Sequence, residues 1–270
     1  MIYLHILLFL MTIASTILVG GFLYSLAIMT ILLCHELGHY LMSRRYGIPS
    51  TLPFFIPLPV PPFGTFGAVI KMKGVIVNRN ALFDVGVAGP LCGFVVALPF
   101  IVAGIMMSTV TPLAGIPAAS YMELGDPLLF RILGTLLVGD IPEGHDLVLH
   151  PFAYAGWVGL FVTSLNLLPV GQLDGGHVVY AVFGEKSKWV YRAVILGLGV
   201  LAALTNIGWL TLVILLLIFG MRHPRPFDDE TEVNGTRKKI AILVLAIFIL
   251  SFIPSPFPDM NLTKIIEKGF

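Results

Sequence analysis

Long apolar runs separated by short polar segments make up most of the chain. A helix that crosses a membrane needs about 20 mostly apolar residues. Seven runs approach that length: Ile2–Val19, Phe22–Met42, Ala81–Met107, Pro151–Leu168, Trp189–Thr205, Ile207–Met221 and Ile240–Ile253. The last three are the shortest, and Trp189–Met221 could instead form one tight hairpin. The pattern predicts an all-α polytopic membrane protein with about six to seven transmembrane helices.

Two segments between these runs have a different pattern. Prolines crowd the first part of 49–77, and proline breaks helices, whereas Phe63–Met72 is typical of an extended chain. We expect a short membrane-associated β-hairpin at the inner membrane face. The second segment, 108–150, is polar at both ends and contains an amphipathic patch, Pro127–Val138, which predicts an interfacial helix.

The basic residues indicate how the chain is oriented. If the amino terminus lies inside, thirteen of the sixteen Lys and Arg residues fall on inner segments, as the positive-inside rule requires. The outer segment 108–150 holds five acidic residues and only one basic residue, Arg131. Because no Lys or Arg precedes Arg44, the first run lacks the charged region of a secretory signal, and we interpret it as a retained span. These patterns predict a multi-pass protein of the cell membrane.

Composition narrows the class further. The chain is 57% apolar and 11% charged, whereas a soluble domain carries about a quarter charged residues, so an ordinary water-soluble globule is excluded. The formal net charge of +1 gives no basic field to attract nucleic acid, and we expect none as a partner. Cys34 and Cys92 both lie in apolar runs, which excludes a secreted disulfide scaffold. The expected surroundings are a lipid bilayer, and the sequence leaves the oligomeric state open.

The second apolar run contains the pattern H-E-x-x-H at His35–His39. Positions i and i+4 of a helix differ by about 40° around its axis, so His35 and His39 share one face and can bind one zinc ion. Glu36 lies about 100° from His35, where a general base for a metal-bound water would be placed. Buried in a membrane span, these ionisable groups would cost several kcal/mol without a metal or a hydrated cavity.

Two histidines leave a catalytic zinc one short of its usual three protein ligands. The segment that follows the fourth run supplies a candidate in Asp174, which Pro169, Gly171, Gly175 and Gly176 surround. Such irregular backbone is tolerated at membrane depth only where it is buried in protein or lines a cavity. The predicted orientation places Asp174 on the same side of the membrane as the two histidines, so we expect Asp174 to be the third ligand.

At this point the sequence resembles the site-2 protease family of intramembrane zinc metalloproteases. The resemblance extends over about Leu32–Val182. It rests on the ordered motifs HELGH at His35–His39, PFGTFGAVI at Pro62–Ile70, AGPLCGF at Ala88–Phe94 and NLLPVGQLDG at Asn166–Gly175. PFGTFGAVI is most similar to the plastid, cyanobacterial or archaeal subgroup.

The resemblance implies a zinc endopeptidase that cuts transmembrane segments of membrane-anchored proteins. It implies one zinc ion held by His35, His39 and Asp174, with Glu36 as the base and Asn166 as a candidate oxyanion donor. The active site would face the cytoplasmic side. The expected organisation is a first transmembrane helix in 1–21, a catalytic core in 22–184 that includes the hairpin 49–77 and the outer loop 108–150, and C-terminal transmembrane helices with a tail in 185–270.

Two other functions use the same residues. A zinc transporter could use the two histidines and Asp174 as translocation ligands, although the outer halves of these spans are almost purely apolar. A zinc protease with a solvent-facing site would need a downstream glutamate ligand, and its candidates, Glu123 and Glu143, are both predicted outside.

Several further residues have simpler interpretations. His177 could support the metal site or simply face a cavity, and Phe63–Met72 could bind an extended substrate or plug the cavity mouth. We interpret Asp84 as a helix cap or a partner of the active-site backbone, and the acidic run Asp228–Glu232 as a solvated loop.

Overall fold

The computed structural model describes residues 2–114, 121–219 and 224–258. Over these residues the chain is mostly helical, with two small antiparallel sheets. The helices are α1 (Ile2–Arg45), α2 (Arg79–Met106), α3 (Leu128–Leu137), α4 (Pro151–Asn166), α5 (Asp174–Phe183), α6 (Ser187–Leu204), α7 (Gly208–Phe219) and α8 (Gly235–Ser251). The strands are β1 (Phe54–Pro57), β2 (Thr65–Val69), β3 (Thr109–Pro112) and β4 (His145–Val148).

The long helix α1 folds back on itself at Gly21. Gly21 has a φ of 79°, a left-handed conformation that glycine adopts without a steric penalty. The hydroxyl oxygens of Thr16 and Ser25 lie 2.7 Å apart, whereas nine residues of straight helix would rise about 13.5 Å. The two halves of α1 therefore run antiparallel, and they coincide with the first two predicted spans.

Three segments of the described chain are long and apolar enough to cross a membrane. They are Ile2–Arg45, Arg79–Met106 and Asp174–Leu204, in which the turn Gly184–Lys186 joins α5 to α6. α4, α7 and α8 are apolar but shorter, with 16, 12 and 17 residues. The end of the predicted span Ile207–Met221, Arg222 and the tail with Lys264 and Lys268 lie outside the described residues.

Close packing of α1, α2 and α4 forms the main apolar core. Glycines at two α2–α4 contacts make this packing possible, because a methyl group at Gly104 would lie 2.0 Å from the backbone nitrogen of Ala153, and one at Gly156 would lie 2.3 Å from Ile101. A second core joins α2, α5 and α8. Helix α2 therefore takes part in both. Helix α3 coincides with the predicted amphipathic patch and buries Phe130.

Residues 49–73 form an antiparallel hairpin, which we call the re-entrant hairpin. At its base the Lys73 amide donates a hydrogen bond to the Pro49 carbonyl over 2.7 Å. Between the base and the tip, β1 pairs with β2. Its tip reaches Ser15 and Tyr24, one to two turns from the bend at Gly21. The prediction of a hairpin is confirmed, and the hairpin extends along the helices instead of staying at one end of them. The hairpin penetrates the bundle because helix side chains satisfy the carbonyls at its tip.

The chain after α7 is tied to the start of α2 and to α5 by an ion pair and a hydrogen bond. The Arg79 guanidinium donates to Asp229 over 2.9 Å, and Tyr180 donates to the other oxygen of that carboxylate over 2.9 Å. Amides of this segment also donate to the carbonyls of residues 76 and 77. The interpretation of 228–232 as a solvated loop is therefore wrong for Asp229, although Glu230 and Glu232 are exposed.

A second ion pair fastens the start of α8. Arg237 donates to both carboxylate oxygens of Asp84, over 2.8 and 2.6 Å, and the Tyr46 hydroxyl donates to the same carboxylate over 2.5 Å. Burial, together with the hydrogen bond to Asp84, raises the pKa of Tyr46. Asp84 thus pairs with Tyr46, which directly follows α1, and with Arg237 of α8, and neither interpretation made from the sequence is right.

Candidate metal centre and active site

His35 and His39 project from one face of α1, as the helical spacing predicts. Their Nε2 atoms lie 3.1 Å apart, and the residues are only 4% and 7% exposed. Nδ1 of His39 is 2.8 Å from the Val85 carbonyl oxygen. Because a carbonyl can only accept, this contact fixes the proton on Nδ1 and leaves the Nε2 lone pair free for a metal.

Asp174 reaches the same point from the first turn of α5. Its Oδ2 atom lies 3.3 Å from Nε2 of His35 and 3.2 Å from Nε2 of His39. The two glycines that follow it allow this approach, because a methyl group at Gly175 would lie 2.0 Å from the Leu167 carbonyl oxygen, and one at Gly176 would lie 2.4 Å from the Gly171 carbonyl oxygen. Helix α5 can therefore pack directly on the loop that precedes it.

The donor set fits a zinc ion. Ligands at 2.0–2.2 Å from a tetrahedral zinc lie about 3.3 Å apart, which agrees with the three distances between His35, His39 and Asp174. We call these residues the metal triad. Among the described His, Cys, Asp and Glu residues, they form a group whose possible ligand atoms all lie within 4.8 Å of one another. Two imidazole lone pairs and a carboxylate at this spacing repel one another unless a cation or a shared proton lies between them. The triad could hold one zinc ion.

Helix α2 provides no ligand, but its glycines make room for the triad. A methyl group at Gly89 would lie 2.0 Å from Nε2 of His39, and one at Gly93 would lie 3.1 Å from Nδ1 of His35. Gly86 faces α5, where a methyl group would lie 3.2 Å from the Asp174 carbonyl oxygen. The AGPLCGF motif therefore brings α2 directly against the two histidine side chains of the triad.

Two further predicted residues lie beside the triad. Glu36 is 6% exposed, and its carboxylate lies close to the backbone of Ile70, next to β2, where both residues line the same cavity. Nδ2 of Asn166 lies 3.3 Å from Nε2 of His35. Thus all five residues predicted for the site come together, although they belong to α1, α4 and α5.

A cavity of about 560 Å³ opens onto the triad. Its walls include Glu36, Asn166 and His177, and one side is formed by residues 68–72 at the end of the re-entrant hairpin. Residues 224–226 also line the cavity, and the sequence analysis did not connect them with the site. No signal in the sequence identifies them, because the ion pairs of Asp229 and Asp84 bring this segment in from far along the chain.

Comparison with known proteins places this site in a family. A family model described as peptidase family M50 matches residues 23–206. The protein named probable zinc metalloprotease EGY2, chloroplastic, of Arabidopsis thaliana is 32% identical over 83% of this chain and 40% of its own length. Probable zinc metalloprotease EGY1, chloroplastic, of the same plant is 32% identical over 84% of this chain and 42% of its own length.

The rice (Oryza sativa subsp. japonica) protein that also bears the name EGY1 is 30% identical over 84% of this chain and 39% of its own length. The chain thus spans about two fifths of the length of these curated relatives. Their names agree with the expected likeness to the plastid subgroup. The matched residues include the metal triad, Glu36 and Asn166, and the chain therefore belongs to peptidase family M50, the site-2 protease family.

Proposed function

We propose that the protein is an intramembrane zinc endopeptidase that hydrolyses peptide bonds within transmembrane segments of membrane-anchored proteins. The observation that carries this proposal is the convergence of His35, His39 and Asp174 at 3.1–3.3 Å inside apolar helices, with Glu36 beside them. Family membership supports it.

Each residue of the site has a proposed role. When bound, zinc supplies Lewis acidity and a water molecule of lowered pKa. Glu36 accepts the proton of the attacking water and passes it to the leaving amine. In this proposal Asn166 donates its amide N–H to the carbonyl oxygen of the substrate as negative charge develops there. The Val85 carbonyl holds the His39 ring in its ligating orientation.

The substrate binds as an extended strand in this proposal, because a peptide bond within a helix is shielded by its neighbours. β2 pairs with β1 on one edge, and the cavity wall continues along residues 68–72. A substrate strand that adds to the cavity edge of β2 through main-chain hydrogen bonds would lie beside Glu36. Such pairing accepts many side-chain sequences. If the hairpin only plugged the cavity mouth, this edge would make no contact with the substrate.

We also propose about six to seven membrane crossings, with the amino terminus and the active site toward the cytoplasmic side of the cell membrane. The reversal at Gly21 supports two crossings within α1. The contacts of Arg79 with Asp229 and of Arg237 with Asp84 support the orientation, because they gather basic segments distant in sequence at one end of the bundle.

The decisive experiment replaces Glu36 with Gln in the full-length protein, reconstituted with a membrane-anchored reporter. Cleavage should fall at least about 100-fold, while the zinc content stays at one equivalent because the triad is intact. Glu230→Gln, an exposed carboxylate, is the matched control and should cleave normally. Cleavage by the Glu36→Gln protein at the wild-type rate would refute the proposal. Zinc uptake into proteoliposomes that survives Glu36→Gln would instead support the transporter.

A further inference from the structure

Three hydroxyl groups hold the tip of the re-entrant hairpin. The Tyr154 hydroxyl donates to the Pro62 carbonyl, the Tyr24 hydroxyl to the Phe63 carbonyl and the Ser15 hydroxyl to the Gly64 carbonyl, each over 2.7 Å. Three consecutive carbonyls are thus bound by side chains from α4 and from both halves of α1. We call these three side chains the hydroxyl clamp.

The clamp is rigid because its members are packed. Tyr24 is fully buried, and its ring stacks on that of Tyr154 with centroids 5.2 Å apart. Gly64 has a φ of 76°, and a methyl group there would lie 2.9 Å from the Cα atom of Thr16. The tip therefore sits directly on the α1 backbone. Non-helical backbone at this depth needs partners for its carbonyls, and the clamp supplies them.

The other end of the same strand meets the active site. Seven residues separate Phe63 from Ile70, an extended length of about 23 Å, and twelve residues of α1 separate Tyr24 from Glu36, a rise of about 18 Å. The strand is thus held at two points, the clamp and the contact of the Ile70 backbone with Glu36. Between them, β2 runs alongside α1.

We propose that Tyr24 and Tyr154, together with Ser15, are positioning residues that set where the substrate is cut. The inference rests on the proposed function, because it assumes that the substrate pairs with the cavity edge of β2. In a β-ladder, the position of one strand fixes which residue of its partner lies opposite each point. The clamp prevents β2 from sliding along α1, and it thereby fixes which substrate bond is presented to Glu36 and the metal triad.

The test removes the hydroxyls and keeps the rings. Tyr24→Phe, Tyr154→Phe and the double variant are compared with Tyr3→Phe, a control on a side chain that is 83% exposed. The reporter is a membrane-anchored peptide in proteoliposomes, and its products are identified by mass spectrometry. We expect the double variant to raise KM at least about fivefold, to keep kcat within about twofold and one equivalent of zinc, and to cut at additional neighbouring bonds.

Hydrogen exchange provides a readout that does not require proteolysis. In the double variant, amides of the hairpin between residues 62 and 72 should exchange at least about tenfold faster, while those of α2 stay unchanged. Wild-type exchange in the hairpin would overturn the clamp even if the protein cut no peptide. A single cleavage site with the wild-type KM would overturn the positioning role. A rise in KM accompanied by loss of zinc and a lower thermal midpoint would also overturn it, because it would indicate general damage to the fold. Failure of the proposed function itself is recognised separately, as wild-type protein that cleaves no better than Glu36→Gln.

Discussion

Replacing Gly89 with alanine should abolish tight zinc binding, although Gly89 is not a metal ligand. The added methyl group would lie 2.0 Å from Nε2, 2.3 Å from Cδ2 and 2.5 Å from Cε1 of the His39 ring. Favourable contacts between heavy atoms begin near 3.5 Å. The ring must therefore retreat by about 1.5 Å or rotate away from α2.

The size of the effect follows from the tolerance of the metal bond. Zinc–ligand distances hold within about 0.2 Å, so a displacement of this size removes His39 from the ligand set. Changes that merely disturb the partner of a ligand weaken metal binding by about 10–100-fold, and we expect at least about 100-fold here. Overpacking costs about 1–3 kcal/mol of folding free energy, partly offset by about 1 kcal/mol for alanine in a helix.

Two other glycines make the experiment a graded series. A methyl group at Gly93 would lie 3.1 Å from Nδ1 of His35. A shift of a few tenths of an ångström accommodates it, so Gly93→Ala should weaken zinc binding less than about tenfold. A methyl group at Gly197, on α6, would meet no atom within 4 Å, and Gly197→Ala should bind zinc normally and gain up to about 1 kcal/mol.

The measurement is zinc content by mass spectrometry together with the dissociation constant from competition with a coloured chelator, on detergent-purified protein. Size-exclusion profiles and thermal unfolding establish that each variant is folded. A monodisperse Gly89→Ala protein that binds one equivalent of zinc with the wild-type dissociation constant would refute the proposed packing of α2 on the triad.

Three further predictions test other parts of the structure. Gly21→Ala should lower the free energy of unfolding by about 1–2 kcal/mol, because the φ of 79° is unfavourable for alanine. The loss comes from the backbone alone, since no atom lies within 4 Å of the added methyl group. An unchanged unfolding titration in mixed micelles would contradict the reversal of α1 at Gly21. Asp229→Asn should destabilise the protein by about 1–3 kcal/mol, since it weakens the ion pair with the largely buried Arg79. The control Glu232→Gln, on a side chain that is 72% exposed, should change stability by less than about 0.5 kcal/mol. Removing zinc with a chelator should lower the thermal midpoint, and added zinc should restore it; an unchanged midpoint would argue against metal binding by the folded state.

The local part of the site could be predicted from the sequence because helix geometry is regular. The i and i+4 spacing alone brings His35 and His39 together, and the broken helix before Asp174 indicated a cavity at the same depth. The partners of Asp84 and Asp229 could not be predicted. Their ion pairs join residues 153 and 150 positions apart, and such pairs depend on how the helices assemble.

The position of the re-entrant hairpin among the helices could not be predicted from the sequence either. Its pattern predicts extended structure, but a position at the membrane surface and one inside the bundle both satisfy that pattern. The difference is decided by hydroxyl groups on other helices, Ser15 and Tyr154, which lie 49 and 92 positions from the carbonyls that they bind. Without those donors, the Pro62 carbonyl would lose its side-chain partner and the Gly64 carbonyl would keep only the Leu58 amide, which would favour a position in contact with water.

We expect zinc binding by the metal triad to depend on α2, a helix that contributes no side chain to the triad. The Val85 carbonyl orients His39, and Gly89 and Gly93 set how closely α2 approaches the two imidazoles. Gly86 sets its distance from α5 and hence from Asp174. Because α2 also belongs to both the α1–α4 core and the α5–α8 core, the separation of the triad is fixed by the packing of the whole bundle. We therefore expect the affinity for zinc to depend on the assembled helices as much as on the residues of the triad.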